Sequence, residues 1–262
     1  MTDKQTKPVI ALIASDASEP AGQKTLETID ALIHDRFPGH DVRWGFPAVS
    51  TIEGFKKRGV TTIFERKAPL MTAADLLATL AREGTKKVGV QLVMVTESNN
   101  SRIAMEADTH GMTVKYGLPF LAVRENIEAV PGAFSSDFGD GIETATVLIA
   151  HGASKDFQYN ESFIAIDALL RKNYQNVFLG TFQGPPGIDG VVEDVKKLGC
   201  QKLRFISLML AARAHYEGIM GDGPKSLKTR FGLPAEHIDK FATYPIVTGY
   251  FIKSIGDLVG QL

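Results

Sequence analysis

The sequence predicts an α/β protein of two similar Rossmann-like lobes, each a mainly parallel sheet flanked by helices. Three observations support this fold class. Short apolar runs recur along the chain, amphipathic segments separate them, and the second half repeats the pattern of the first. Alternation of strands and helices is typical of α/β architecture, because the connecting helices cover the faces of the sheet.

Six apolar runs are predicted to be strands. They are rich in Val, Ile, Leu and Phe and do not alternate cleanly with polar residues. This pattern indicates strands covered on both faces, as in a parallel sheet. The runs span residues 9–14, 87–95, 115–123, 146–152, 176–182 and 202–210.

Four segments between these runs have helical spacing of their apolar residues. In the first of them, one stripe of the helix carries Leu26, Ile29, Leu32 and Ile33. This stripe would face the sheet. The predicted helices span residues 22–37, 73–84, 160–174 and 188–199.

An internal repeat sets the expected domain organisation. "IASDAS" (13–18) matches "IAHGAS" (149–154), and "IDALI" matches "IDALL" further on. We therefore predict an N-terminal lobe over 1–125, a polar linker containing Gly and Pro over 126–145, and a C-terminal lobe over 146–262. A ligand is expected in the cleft between the lobes, near the carboxyl ends of the strands.

Composition excludes several classes of protein. The net charge is −1 and 23% of the residues are charged, so no basic field points to nucleic acid or an anionic membrane. Cys200 is the single cysteine, which excludes an intrachain disulfide and a CxxC metal motif. No apolar run reaches the ~20 residues of a membrane helix, and the first residues lack a signal-peptide pattern. We expect a cytoplasmic protein and leave open a homo-oligomer.

Two histidines follow predicted strands of the second lobe. In "VLIAHGASKDF" (147–157), four apolar residues lead into His151, whose counterpart in the first lobe is Ser15. The fold therefore does not require an imidazole at this position. His215 follows the 202–210 run, and Gln183 follows the 176–182 run. Neutral imidazole binds divalent metals and accepts protons near neutral pH, so His151 and His215 are candidate ligands of one ion. A structural histidine at a strand end is the alternative.

The chain resembles the class II tetrapyrrole chelatases, specifically the anaerobic cobalt chelatases of the CbiK type, also called sirohydrochlorin cobaltochelatases. The motifs that carry the resemblance are "HGAS" (151–154) after an apolar strand and "LMLAARAHYEGIMGDGPKSLKTRF" (208–231). The segment "GFKKRGVTTIFERKAPLMTAADLLATLAREGTKKVGVQL" (54–92) follows the family's order as well. The resemblance covers nearly the whole chain, including its two-lobed repeat.

The resemblance implies an enzyme, a lyase, that inserts Co²⁺ or Fe²⁺ into sirohydrochlorin without ATP, in cobalamin or sirohaem biosynthesis. The family's two metal-binding, catalytic histidines match His151 and His215 of this sequence. Imidazole suits divalent cobalt and iron, and its pKa suits the acceptance of pyrrole protons. The implied partners are a small tetrapyrrole and a divalent metal.

The sequence departs from the family pattern around the histidines. Gln183 stands where the family has a glutamate, and Met94 stands where it has a histidine, with Glu97 nearby as an imperfect substitute. The family's Asn-Asp pair after the second histidine is replaced by Gly218 and Ile219. An amide takes up no proton and is a poor cation ligand, so the carboxylates of the site are reduced in number.

Two functions remain open at this stage. In the first, the protein is a chelatase in which His151 and His215 suffice, assisted by Glu97 or Glu217. In the second, it binds haem, another tetrapyrrole or a metal without catalysis, with His215 or His151 as one axial ligand and Met94 as the second. Met94 also fits plain core packing. Further candidates for tetrapyrrole contact are Gln183, Lys155 and Arg213; the two cations also fit a solvated surface.

Overall fold

The computed structural model describes residues 7–15, 19–210 and 212–262, without the side chains of Ala21, Phe157, Arg213 and Ala214. The chain divides into two compact units. The first comprises the chain up to Phe120 together with Thr248–Leu262, and the second comprises Leu121–Val247. Each unit has its own four-stranded sheet of parallel strands with helices packed against it, as the α/β prediction requires.

The first unit contains a parallel sheet in the order β2-β1-β5-β6 and a small antiparallel pair, β3-β4. Its strands and helices, in chain order, are β1 Val9–Ala14, α1 Pro20–Arg36, β2 Val42–Gly45, α2 Val49–Lys57, β3 Thr62–Ile63, β4 Ala68–Pro69, α3 Ala73–Arg82, β5 Lys87–Val93, α4 Asn99–Met105 and β6 Thr113–Gly117.

The second unit contains a parallel sheet in the order β10-β9-β7-β8. Its elements are α5 Arg124–Phe134, β7 Thr144–Gly152, α6 Glu161–Asn173, β8 Val177–Gln183, α7 Ile188–Leu198, β9 Lys202–Ser207, α8 Tyr216–Met220, α9 Leu227–Phe231 and β10 Ala235–Ile238. The last helix, α10 Pro245–Gly260, starts in this unit, and its residues from Thr248 onward belong to the first.

Each sheet is covered by amphipathic helices whose apolar stripe is buried. In α7, Ile188, Val191, Val192 and Val195 are buried, and they pack in one cluster with Phe205 of β9. Gly199 ends this helix in the left-handed conformation, at φ +72°, where glycine avoids the steric cost of a Cβ. Burial of such stripes, rather than helix propensity, supplies most of the stability of these helices.

The two units are structural repeats of each other. When β1 is matched to β7, β2 to β8, β5 to β9 and β6 to β10, the two sheets have the same strand order. The repeated "IDAL" segment keeps a buried aspartate in both units. Asp30 accepts a hydrogen bond from Trp44 Nε1 of β2 (2.7 Å), and Asp167 accepts one from Leu179 N of β8 (2.8 Å). Both aspartates tie the first helix of the repeat to the edge strand beside it.

The structure differs from the expected boundaries in two places. We expected a linker over 126–145, but its residues 126–134 form most of α5. Val130 and Phe134 of this helix are buried. The C-terminal residues expected in the second lobe group with the first unit. There the Tyr250 hydroxyl donates to Leu118 O (2.7 Å), and Leu258 packs beside Gly89 of β5. Through these contacts, α10 from Thr248 onward packs in the first unit.

Strand assignments differ at the sheet edges. The apolar run over 115–123 was predicted to be one strand. In the structure, β6 ends at Gly117, and a 3₁₀ helix follows over Phe120–Ala122. Edge strands β2 and β10, each of four residues, carry no long apolar run and were not predicted. Among the described helices, none combines the length and apolar character needed to cross a bilayer.

Replacement of Asp167 by alanine is expected to destabilise the second unit. The buried N–H of Leu179 loses its acceptor, which costs about 1–3 kcal/mol of unfolding free energy. Asp194→Ala is the matched control, because Asp194 is the 39% exposed partner of the same Arg171 and should cost less than about 1 kcal/mol. Urea unfolding measures both, and equal losses in the two variants would contradict the structural role of Asp167.

Candidate metal and tetrapyrrole site

The carboxyl ends of the second sheet bring two of the predicted site residues, His151 and Gln183, to one edge. The four strands are parallel, so their carboxyl ends lie on the same side. His151 and Gly152 end β7, Gln183 ends β8 and Ser207 ends β9. In α/β sheets this edge is where ligands bind.

The turn after His151 depends on glycine. Gly152 has φ +73° and pairs with Gln183 in the sheet. A Cβ at this position would overlap the carbonyl oxygen of Gln183 and lie 2.8 Å from Cβ of Thr181. Only glycine therefore lets β7 stay paired with β8 as far as Gln183.

His151 and His215 lie against each other. Their ring centroids are 5.3 Å apart and their planes are inclined by 63°. His151 is exposed and His215 is partly buried. His215 is the last residue of a 3₁₀ turn, Ala212–His215, which leads directly into α8. The structure thus brings together the two histidines that the sequence selected from different loops.

An aromatic side chain, Phe182, also lies beside the His215 ring. Phe182 of β8 lies nearly parallel to the His215 ring, with centroids 5.7 Å apart and an interplanar angle of 29°. The sequence analysis did not select Phe182, because an apolar residue inside a predicted strand gives no sign that it will contact a histidine. Its position directly before Gln183 was the available signal.

The hydrogen bonding of His151 sets its protonation pattern. Nδ1 of His151 lies 2.9 Å from the carbonyl oxygen of Gly152. A carbonyl oxygen only accepts, so Nδ1 carries the proton and donates. In the neutral ring Nε2 then keeps its lone pair, which is the nitrogen available to a metal ion or a proton.

Asn160 was also missed by the sequence analysis. It is fully buried, accepts from Ala153 N (2.8 Å) and donates to Ala153 O (3.2 Å) and Gln183 O (3.0 Å). Its place directly before α6 is typical of a helix N-cap, yet its side chain makes no capping bond. A residue at that position usually caps its own helix. Asn160 instead bonds to Ala153 and to Gln183, which lies 23 residues further along the chain.

The remaining candidates of the second unit have different settings. Gln183, Lys155 and Glu217 are exposed. Arg213 lies in the turn before His215, but its side chain is outside the described part of the structure. Within the described residues, no group of three or more His, Cys, Asp or Glu side chains is arranged to hold a metal. The described site is therefore a pair of imidazoles.

The two candidates of the first unit, Met94 and Glu97, have different surroundings. Met94 is 2% exposed and packs in an apolar cluster with Leu77, Val90 and Met112. The burial of Met94 supports the packing interpretation over its selection as a tetrapyrrole contact. Glu97 is exposed and directly precedes Ser98, the N-cap of α4.

A further histidine lies at the edge of the second sheet. His237 of β10 is partly buried, and its Nε2 lies 2.7 Å from Oγ of the fully buried Ser207. Burial lowers the pKa of His237, opposed by the charge of Asp239, so its imidazole is stabilised in the neutral form. The Tyr216 ring lies 6.0 Å from the His237 ring, which connects His237 to the residue following His215.

Comparison with known proteins gives one family for most of the chain. A family model described as cobalt chelatase (CbiK) matches residues 12–240. A curated relative, sirohydrochlorin cobaltochelatase CbiKC of Nitratidesulfovibrio vulgaris, is 25% identical over 234 residues, which cover 86% of this chain and 79% of the relative.

Solved structures share the fold. SirB from Bacillus subtilis, solved with Fe³⁺, matches with a TM-score of 0.54 at 12% identity, covering 97% of this chain and 96% of that one. CbiX, described as the terminal enzyme of sirohaem biosynthesis in denitrifying bacteria, matches with a TM-score of 0.58 at 15% identity, covering 95% and 98%. At these identities the likeness establishes the fold alone.

Substitution of Gly152 by alanine is expected to cost more stability than the same change at Gly199. Both glycines have positive φ, +73° and +72°, so both variants carry about 1–2 kcal/mol of backbone strain. The Cβ at Gly199 enters open space, whereas the Cβ at Gly152 collides with the β8 backbone. The free energy of unfolding, measured in urea, should therefore be lower for Gly152→Ala than for Gly199→Ala by at least about 1 kcal/mol. Equal stability would show that β7 and β8 separate at this point without cost.

Proposed function

Because the chain belongs to the cobalt chelatase (CbiK) family, we propose that it inserts Co²⁺ or Fe²⁺ into sirohydrochlorin without ATP. The observation that carries this proposal is the contact between His151 and His215, 5.3 Å between ring centroids, at the carboxyl edge of the second sheet. Insertion places one divalent ion in the macrocycle and releases two pyrrole protons. A catalyst must therefore supply a transient metal site and a proton acceptor.

The histidine pair suits an ion that is substrate rather than resident. A closed structural site uses about four protein ligands, whereas this pair supplies two neutral nitrogens and leaves coordination positions for water and for the ring nitrogens of the substrate. Imidazole accommodates both Co²⁺ and Fe²⁺, so the pair itself does not select between them. In our proposal His151 binds through Nε2, since its Nδ1 donates to Gly152 O.

The same nitrogens account for the protons. Each imidazole nitrogen that gives up the ion to the macrocycle regains a lone pair, and that lone pair can take one pyrrole proton. Two imidazoles thereby match the two protons released. This assignment does not require a carboxylate at Gln183, whose amide takes up no proton.

Gln183 also favours a second candidate function. With an amide at position 183 in place of a carboxylate, the alternative is a protein that binds a tetrapyrrole or a metal and does not turn over. Met94 does not support this alternative as an axial ligand, because its side chain is buried in the core of the first unit. The alternative therefore depends on the same two histidines and differs from the first in the absence of turnover.

The proposal places the protein among cytoplasmic enzymes of cobalamin or sirohaem biosynthesis. Both proposed substrates are small and diffusible, and the net charge of −1 suggests neither a nucleic-acid nor an anionic membrane partner. The cationic side chain of Lys155, exposed four residues after His151, is our candidate for contact with the carboxylates of sirohydrochlorin.

Removal of either histidine should weaken metal binding. We expect Co²⁺ affinity, followed by the visible absorbance of the bound ion, to fall by at least about 100-fold in His151→Ala and in His215→Ala, because loss of a direct ligand should cost no less than the 10–100-fold typical of outer partners. His34→Ala, which removes an exposed histidine of the first unit, is the control and should bind as the wild type does. Unchanged affinity in either variant would remove that residue from the proposed ligand pair.

Restoration of a carboxylate should accelerate insertion. Gln183→Glu adds a further proton acceptor, a carboxylate, at the edge that carries His151. General-base assistance contributes about 10²–10⁴-fold when well placed, so we expect at least a tenfold rise in the Co²⁺ insertion rate. Gln175→Glu, an exposed change just before the amino end of the same strand, supplies the same charge away from the site. A rate that does not rise, or that rises equally in the control, would contradict a proton-acceptor role at position 183.

A further inference from the structure

We propose that Asn160 is a positioning residue that fixes the orientation and the protonation pattern of His151 through the peptide unit between Gly152 and Ala153. The chemical value of this role rests on the proposed function. The hydrogen bonds that define it do not. Four groups form one chain: His151 Nδ1–H, Gly152 C=O, Ala153 N–H and Asn160 Oδ1.

The two inner groups belong to the same planar peptide. Gly152 C=O and Ala153 N–H are rigidly coupled because the peptide bond is planar. His151 Nδ1 donates to one end of this plane (2.9 Å), and Asn160 Oδ1 accepts from the other end (2.8 Å). Fixing the Ala153 N–H therefore fixes the direction in which the Gly152 carbonyl accepts from the imidazole. Hydrogen bonds in series also polarise and strengthen one another.

The amide of Asn160 anchors this plane to the neighbouring strand. Its Nδ2 donates to Ala153 O (3.2 Å) and to Gln183 O (3.0 Å). Because Asn160 is fully buried, its amide depends on these bonds for hydrogen-bond partners. A side chain with both a donor and an acceptor is needed here, which an aspartate, a leucine or an alanine does not provide.

The internal repeat shows that the fold alone does not require this arrangement. Aligned on the "IDAL" segments, Asn160 corresponds to Gln23, which lies inside α1. Asn160 instead lies before α6, at the end of a 3₁₀ turn over Phe157–Asn160. In the first unit, Ser15 is the counterpart of His151, and the helix begins earlier, at Pro20. The position that corresponds to Asn160 is therefore already helical there.

For a metal ligand, the consequence is that the imidazole of His151 is already oriented before the ion binds. A histidine that binds a metal through one nitrogen commonly donates from the other to a carbonyl or carboxylate, and loss of such outer partners typically weakens metal binding about 10–100-fold. Asn160 acts one bond further out, by holding the acceptor of His151 in place. It keeps the Nδ1–H form dominant, so that Nε2 is ready for the ion.

The test reads the protonation pattern of His151 in the metal-free protein. Long-range ¹H–¹⁵N correlation spectra distinguish protonated from unprotonated ring nitrogens, and His151→Ala identifies the signals of His151 among the six histidines. In the wild type we expect Nδ1 protonated and Nε2 unprotonated. In Asn160→Ala both nitrogen shifts should move toward the average of the two neutral forms, and Co²⁺ binding should weaken about 10–100-fold.

The matched control is Asn176→Ala, the same substitution before the amino end of β8. Asn176 Nδ2 donates to Gly141 O (2.8 Å), so its loss also removes a side-chain hydrogen bond, but away from His151. The control should leave the His151 signals unchanged. If Asn160→Ala does not fold, Asn160→Ser decides by the same two readouts, since its oxygen lies one bond closer to its own backbone and no longer reaches Ala153 N.

His151 signals that match the wild type in the folded Asn160 variant would overturn the inference, as would an equal change in Asn176→Ala. The spectra require neither metal nor tetrapyrrole. A protein that fails to insert metal but shows the expected shift in Asn160→Ala would refute the proposed function and leave the positioning role standing. Normal insertion with unshifted signals would do the reverse.

Discussion

Strand β7 runs through His151 to Gly152, and Gly152 pairs with Gln183 at the end of β8. This pairing brings two strand ends so close that a Cβ on Gly152 would overlap the Gln183 carbonyl. The position of His151, the place of Phe182 beside His215, and the reach of Asn160 to both strand ends all depend on it. The paired strand ends thereby orient side chains that come from separate segments of the chain.

The two repeats show how one fold supports different chemistry. Both units have the same strand order and keep a buried aspartate that ties their first helix to an edge strand. At the strand end where the second unit has His151, the first unit has Ser15. We therefore propose that function resides in the strand-end residues, while the repeated sheet and helices supply stability and position.

Much of this could be predicted from the sequence. The buried strands of both sheets carry continuous apolar runs, and His151 stands out because its repeat partner is Ser15. The edge strands β2 and β10 could not be predicted, because four residues with few apolar positions give no clear period. The roles of Phe182 and Asn160 depend on contacts between distant segments, which no local pattern encodes. The C-terminal helix could not be assigned to the first unit for the same reason.

The central claim is that His151 and His215 support metal insertion without a carboxylate at position 183. The most direct measurement is an anaerobic absorbance time course of purified protein with excess sirohydrochlorin and Co²⁺, read against a control without protein. We expect many equivalents of macrocycle to be converted for each protein, and this conversion to be lost in His151→Ala. A spectral change that stops at one equivalent would contradict the account and identify a tetrapyrrole-binding protein on a chelatase fold.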